Sequence, residues 1–213
     1  MKAKNIFRST MSASRIGVLT VMTLLMSISC SDEFLNVVPE DRIDKSSFYS
    51  SAAQVLIGVN GVYAVQRNDY GNLNLFVMRE GRSDNGQQNP NGQSEQISLD
   101  SFNETAGNLL VLDGWTNMYN TISLANAVIQ NGPKATGDAA LIARAIGEAK
   151  FLRALTYFNL VVLWGDVPLR TTVTDVQDAT VARSSKADVY TQIIKDLTEA
   201  AAVFTANVRW FSE

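Results

Sequence analysis

A chain of 213 residues, 46% hydrophobic and 18% charged, is long enough to bury a core of its own, so wholesale disorder is excluded. Its 18 Lys and Arg against 21 Asp and Glu leave a net charge of -3 without a concentrated basic face, which excludes nucleic acid as a partner. With no histidine and a single cysteine, His-dependent triads, His-ligated zinc, internal disulfides and Cys-clustered metal sites are ruled out, and no cofactor is expected.

The first element along the chain is an address. Lys2, Lys4, Arg8 and Arg15 precede an apolar run from Ile16 to Ile28, and no acidic residue comes before Asp32. That is the pattern of an export signal. The run is shorter than the roughly 20 apolar residues of a membrane-spanning helix and is interrupted by Gly17, Thr20, Thr23 and Ser27. It ends in Ser27-Ile28-Ser29-Cys30, which resembles the lipobox of bacterial lipoproteins, with Cys30 as the lipidated first residue of the mature chain. Ser27 stands where an aliphatic residue is usual, so the residues alone leave the cleavage position open, and a free or buried thiol is the plain alternative for Cys30. Asp32 and Glu33 resemble the acidic export signal of surface lipoproteins; otherwise they are simply solubilising. The chain therefore divides into a signal peptide over 1–29, an extended tether over 30–45 and a helical domain over 46–213.

Helical periodicity begins at Ser51. Ser51 and Gln54 have capping-box spacing, and Val55, Leu56, Val59, Val62 and Tyr63 give one apolar face up to Gln66. Gly58 and Gly61 each weaken this helix by up to ~1 kcal/mol relative to Ala, and they let a neighbour approach closely. From Arg67 to Asn108 the chain turns polar apart from an island at Leu73 to Met78, and it is expected as one long loop, functional or mobile. Its centre, Glu80 to Asn89, carries amides and carboxylates suited to sugar hydroxyls, and Arg82, Asp84 and Asn85 are the candidate ligand contacts. A merely solvated loop is the bland alternative. Asp84-Asn85-Gly86 is too short to make a calcium loop.

A second long helix follows through Trp115, Met118, Tyr119, Ile122, Ala125, Asn126 and Ile129, closed by Gly132-Pro133. Asn126 lies on its apolar stripe and needs a partner there. Asp138 caps the longest helix, which runs to Trp164 before Gly165-Asp166-Val167-Pro168 stops it; Arg153 on it is a candidate for a half-buried pairing with a carboxylate. Thr171 to Ala182 leans towards β structure. A fourth helix begins near Ser185 and turns Tyr190, Ile193, Ile194, Leu197, Ala201 and Phe204 inward. The fold class is all-α: tetratricopeptide-like antiparallel helix pairs with a long polar loop insertion, although no strict repeat period is visible.

Taken together, these segments resemble the SusD-like (RagB/SusD) family of outer-membrane nutrient-binding lipoproteins. The resemblance is carried by Phe34-Leu35-Asn36-Val37-Val38-Pro39 after the lipidated start, Gly61-Val62-Tyr63-Ala64, and Trp115 with Met118, Tyr119, Ile122, Ala125 and Asn126. It continues through Glu148-Ala149-Lys150-Phe151-Leu152-Arg153-Ala154-Leu155, Gly165-Asp166-Val167-Pro168-Leu169, and Arg183 with Val189, Tyr190, Ile193, Ile194, Asp196 and Leu197. The resemblance implies a surface lipoprotein that sits over a SusC-like TonB-dependent porin and captures glycan or other nutrient polymers for import. It implies scaffold helices, ligand-holding loops and no catalysis. Family members are considerably longer, so the chain is expected to be an amino-terminal portion lacking much of the ligand surface. A lipid-anchored scaffold binding only protein is the alternative function. A glycosidase would need two carboxylates across a scissile bond. Glu80 with Asp84, or Asp100 with Glu104, qualify by residue type alone.

Overall fold

The first helix begins where the Gln54 side chain folds back over the preceding turn. Gln54 Oε1 accepts from the Ser51 backbone N–H at 3.0 Å while Ser51 Oγ accepts from the Gln54 N–H at 3.4 Å, so the reciprocal cap forms as its spacing predicts. The computed structural model describes residues 48–71, 74–173 and 180–205, which all fall in the unit Lys45–Glu213. Cys30, the expected signal peptide and tether, and Trp210 and Phe211 lie outside the described residues.

Among the described residues six α-helices follow in order: α1 (Ala52–Gly71), α2 (Asn74–Arg79), α3 (Ser94–Asp100), α4 (Leu109–Asn131), α5 (Ala139–Trp164) and α6 (Lys186–Thr205). A 3-10 turn, Gly132–Lys134, joins α4 to α5. Among the described residues there is no strand, only isolated bridges Ser51–Thr136 and Val167–Ser184, so the β-leaning connector after α5 stays irregular where it is described. Asp138 caps α5 by accepting from the Ala140 and Leu141 N–H groups at 2.9 and 3.1 Å. Ser185 and Asp188 cap the start of α6 in the same manner, the Asp188 N–H donating to Ser185 Oγ at 3.2 Å.

Contacts give the helix directions. The Ala52 N–H donates to the Thr136 carbonyl at 2.9 Å and Gly58 lies against Val128, so α1 runs antiparallel to α4. Gly132 meets Ile146 while Gly114 faces Trp164, so α4 and α5 form an antiparallel pair. Gly147 lies against Phe204 and Gly165 against Lys186, which makes α5 and α6 another. The expected antiparallel stacking is therefore present, with α5 at its centre touching α1, α4 and α6.

Two apolar clusters hold the stack. Val55, Val59 and Val62 of α1 pack on Ala125, Val128 and Leu152, all at most 1% exposed. The other cluster joins Met78, Leu99, Met118, Ile122, Tyr157 and Leu160. Gly58 has the close neighbour its position suggested, since an added Cβ would lie 2.7 Å from the Tyr49 ring. Gly61 does not: nothing lies within 4 Å of its Cβ position.

The segment from Arg67 to Asn108 is less loop-like than its composition suggests. The first helix runs on to Gly71, and α2 and α3 send Leu75, Val77, Met78 and Leu99 into the core. Helices of 6 and 7 residues are too short to show a period or to stand alone, and packing supplies what local propensity does not.

Candidate functional site

The polar segment is organised by a few buried anchors. Asn108 Oδ1 caps α4 by accepting from the Leu110 and Val111 N–H groups, while its Nδ2 donates to the Glu95 carbonyl at 3.0 Å and Ser98 Oγ at 2.9 Å. One side chain thus ties α3 to the start of α4. The Gln88 N–H donates to Asp100 Oδ2 at 3.1 Å. Gly81 lets the chain leave α2 closely, because a Cβ there would lie 2.7 Å from the Val77 carbonyl oxygen.

These anchors place Arg82 against Glu104, Nη2 to Oε1 at 2.9 Å, and over the ring of Phe102 at 4.8 Å from its centroid. Phe102 has φ 53°, a left-handed conformation that costs an aromatic residue energy, and the residue is 66% exposed. Arg82 and Glu104 line a cavity of about 280 Å³ together with Thr105, Leu99, Leu163 and Trp164. Glu104 Oε2 is buried and has no hydrogen-bond partner among the described residues. With its carboxylate tied to Arg82, the cavity offers a guanidinium at its edge and an indole in its wall, groups suited to a ligand with a polar rim and an apolar face.

Of the three expected ligand contacts, Arg82 lines this cavity. Asp84 and Asn85 do not; both are exposed on the turn after α2, where the Asn85 N–H donates to Ser83 Oγ at 3.3 Å. In the sequence Glu104 stands out only as a carboxylate by type, and Trp164 only as the end of the longest helix. Neither carboxylate of the second hydrolytic pair is free: Asp100 accepts from Gln88 and Glu104 is held by Arg82. No group of His, Cys, Asp or Glu side chains among the described residues could hold a metal ion. No helix among them is long and apolar enough to cross a membrane.

A larger open cavity of about 440 Å³ lies against α4, lined by Trp115, Tyr119, Asn120, Ser123, Asn126 and Arg170 among others. Its buried polar groups are already used to fasten the connector after α5. Tyr119 donates its hydroxyl to the Pro168 carbonyl at 2.8 Å, and Asn126 Nδ2 donates to the Arg170 and Thr172 carbonyls at 3.1 and 3.0 Å. Burial pushes the Tyr119 phenol far above its ordinary range. Trp115 and Trp164 meet edge to face at 5.3 Å, so one indole of a single aromatic pair lines each cavity. Size favours the cavity on α4; the smaller one holds Arg82, an expected ligand contact, beside an indole and is the better candidate for ligand.

Residues 33–210 match the SusD-like family described as "starch-binding associating with outer membrane". SusD-like protein P25 of Formosa agariphila is 29% identical over 203 residues, covering 90% of this chain and 38% of the relative. A SusD-like protein of Bacteroides ovatus is 28% identical over 182 residues, covering 84% of this chain and 33% of the relative. Among solved structures, a laminarin-binding SusD-like protein superposes with a TM-score of 0.64 at 28% identity, over 73% of this chain and 34% of that one. A SusD-like protein from Bacteroides fragilis gives 0.66 at 28% identity, over 78% and 32%. The chain thus spans little more than a third of the length of the curated relatives it matches. Paired helices arranged as in these structures, together with a match running from residue 33 to residue 210, establish that this chain belongs to the SusD-like family.

Proposed function

We propose that this protein is the helical part of a lipid-anchored outer-membrane receptor that captures a glycan and delivers it, uncleaved, to a SusC-like TonB-dependent porin. The observation that carries the reading is the match of residues 33–210 to a family described as starch-binding and associated with the outer membrane. The laminarin-binding protein among the similar structures points to the same ligand class. On this reading the cavity beside Arg82 contacts the glycan, with Arg82 as a ligand-binding residue and Asp84 and Asn85 as contacts from the neighbouring turn. The stack of α4, α5 and α6 is scaffold. Cys30 carries the lipid, and the family match begins just after it, leaving the basic and apolar leader outside the matched stretch.

One feature favours a protein-binding scaffold as the second reading. Phe151, Phe158 and Val162 of α5 and Tyr190, Ile194 and Leu197 of α6 are all exposed, at spacings that line up on each helix. Incubating the purified chain with insoluble glycans separates the two readings: retention by at least one polymer is expected, and retention by none leaves only the scaffold. The anchor is tested independently. Mass spectrometry of protein from a host that processes lipoproteins is expected to find acylated Cys30, and Cys30→Ser releases the chain from the membrane fraction.

A further inference from the structure

We infer that Asn85 is a site of spontaneous covalent modification, at which an asparagine becomes aspartate or isoaspartate without an enzyme. This modification is independent of the glycan reading. The chain has four Asn-Gly pairs: Asn60-Gly61, Asn85-Gly86, Asn91-Gly92 and Asn131-Gly132. Asparagine is a thermolabile residue, and a glycine after it leaves the following backbone nitrogen unshielded by a Cβ. That nitrogen loses its proton to base and attacks the asparagine Cγ. A C–N bond forms and closes a succinimide, the Cγ–Nδ2 bond breaks, and Nδ2 leaves as ammonia with the proton regained. One water then opens the ring at either carbonyl, giving aspartate or isoaspartate with no electron transferred.

The fold ranks the four pairs. Asn60 lies inside α1, where helical bonding engages the Gly61 N–H and the helical backbone turns the side-chain carbonyl away from the next nitrogen. At the end of α4 the Gly132 N–H donates to the Val128 carbonyl, Asn131 Nδ2 donates to the Ala127 carbonyl at 3.0 Å, and Asn131 Oδ1 accepts from Lys134 at 3.3 Å. Asn85 and Asn91 sit instead on exposed turns with matching backbone bonds of different length. Around Asn91, Asn89 Oδ1 accepts from the Asn91 N–H at 3.0 Å and the Asn89 carbonyl accepts from the Gly92 N–H at 2.8 Å. Around Asn85, Ser83 Oγ accepts from the Asn85 N–H and the Ser83 carbonyl from the Gly86 N–H, both at 3.3 Å, beyond the ordinary range of about 2.7–3.2 Å. The attacking nitrogen of Gly86 is therefore held more loosely than that of Gly92. The Asn85 carboxamide makes no hydrogen bond among the described residues, and a Cβ on Gly86 would meet only the Glu80 carbonyl oxygen at 3.5 Å, so ring closure has room. On the glycan reading, the change replaces an amide carrying two donors with an acceptor-only carboxylate beside Asp84, at a proposed contact.

Incubating the intact chain in mildly alkaline buffer, with peptide fragmentation in a mass spectrometer and isoaspartate-specific enzymatic methylation at intervals, tests the inference. A gain of about one mass unit is expected first at position 85 and then at position 91. Asn60 and Asn131 are expected to convert at least about tenfold more slowly than Asn85, because their backbone must first open locally. In a chain unfolded by urea the four pairs convert at similar rates. Gly86→Ala, checked by circular dichroism for an intact helical fold, is expected to slow conversion at position 85 and to leave position 91 unchanged. No conversion at position 85, any other pair keeping pace with it in the folded chain, the same ranking in urea, or an undiminished rate in Gly86→Ala would each overturn the inference. None of these outcomes bears on retention by insoluble glycans, which tests the glycan reading separately.

Discussion

Two arginine–carboxylate pairs in this molecule use the same chemistry for opposite ends. Arg153 and Asp196 join α5 to α6 with side chains only 5% and 1% exposed, whereas Arg82 and Glu104 are 30% and 29% exposed at the edge of a cavity. The buried pair is complete. Arg153 Nε and Nη2 donate to both Asp196 oxygens at 2.8 and 2.7 Å, Nη1 donates to Asn126 Oδ1 at 2.7 Å and the Thr171 carbonyl at 3.2 Å, and Gln192 donates to Asp196 at 2.9 Å. Asn126 then fastens the connector through its own Nδ2, so a single network locks three helices and the chain after α5. The cavity pair is incomplete, one oxygen lacking a partner among the described residues. Desolvation makes an unfinished network intolerable in a core, while a half-exposed pair at a cavity edge tolerates one.

Removing the buried charge should break the comparison most sharply. Arg153→Ala strands Asp196 in the core and is expected to cost about 3–5 kcal/mol in denaturant unfolding, with much of the loss recovered when Asp196 is also replaced by Leu. Arg82→Ala, at the half-exposed pair, is expected to cost no more than about 1 kcal/mol in the same assay while reducing glycan retention. Equal losses at the two sites would erase the distinction.

Alkaline titration probes the locked region. Tyr157 is fully buried, donates to the Arg170 carbonyl at 2.8 Å and accepts from the Arg170 N–H at 2.6 Å. Burial pushes its phenol up to about 12 from the ordinary 10.0, outweighing the hydrogen bond from Arg170 and the nearby guanidiniums. Because the folded value is the higher one, the stabilisation is whole below pH 10 and is lost as pH rises from there through about 12. Absorbance at the tyrosinate band should show Tyr157 ionising well above the ordinary 10.0, together with loss of helix.

The two glycines of α1 sharpen the contrast between packed and open surface on a smaller scale. Gly58→Ala forces a Cβ to 2.7 Å from the Tyr49 ring and 3.2 Å from Val128, and is expected to destabilise by about 1 kcal/mol once the gain in helix propensity is offset. Gly61→Ala meets open space and is expected to stabilise by about 0.5–1 kcal/mol, read as a shift in the unfolding midpoint. The smallest effect belongs to Glu199, whose carboxyl is held below its ordinary 4.5 chiefly by the hydrogen bond from Lys150 at 2.6 Å. Its contribution is present above the unfolded value and lost as pH falls through the folded one. Solvent screening at this exposed pair keeps it slight, and Lys150→Met should remove it from an acid-unfolding curve.

Local signals in the chain specify α4 and α5 and the start of α6 almost entirely, but not the inward face of α6. Tyr190, Ile194 and Leu197, expected to point inward, are exposed because packing on α5 turns Val189, Ile193 and Ala200 to the core. Apolar spacing, the Asp138 cap and the Gly132-Pro133 and Gly165-Asp166 stops act within a turn or two of themselves and need no distant partner. The same holds for the Asn126 stripe and the expectation that Arg153 pairs with a carboxylate. Which carboxylate is another matter: Asp196 lies 43 positions further on and is selected only by the antiparallel packing of α5 on α6. Likewise α2 and α3 are invisible as periodic elements, since helices this short exist because Leu75, Val77, Met78 and Leu99 find a core prepared by others. Arg82 was legible as a polar candidate, but its partner Glu104, the ring of Phe102 and the wall of Trp164 come from separate stretches of chain. Short-range preferences are written in consecutive residues and survive reading one segment at a time. A cavity and its lining exist only once long-range packing has brought together groups distant in sequence.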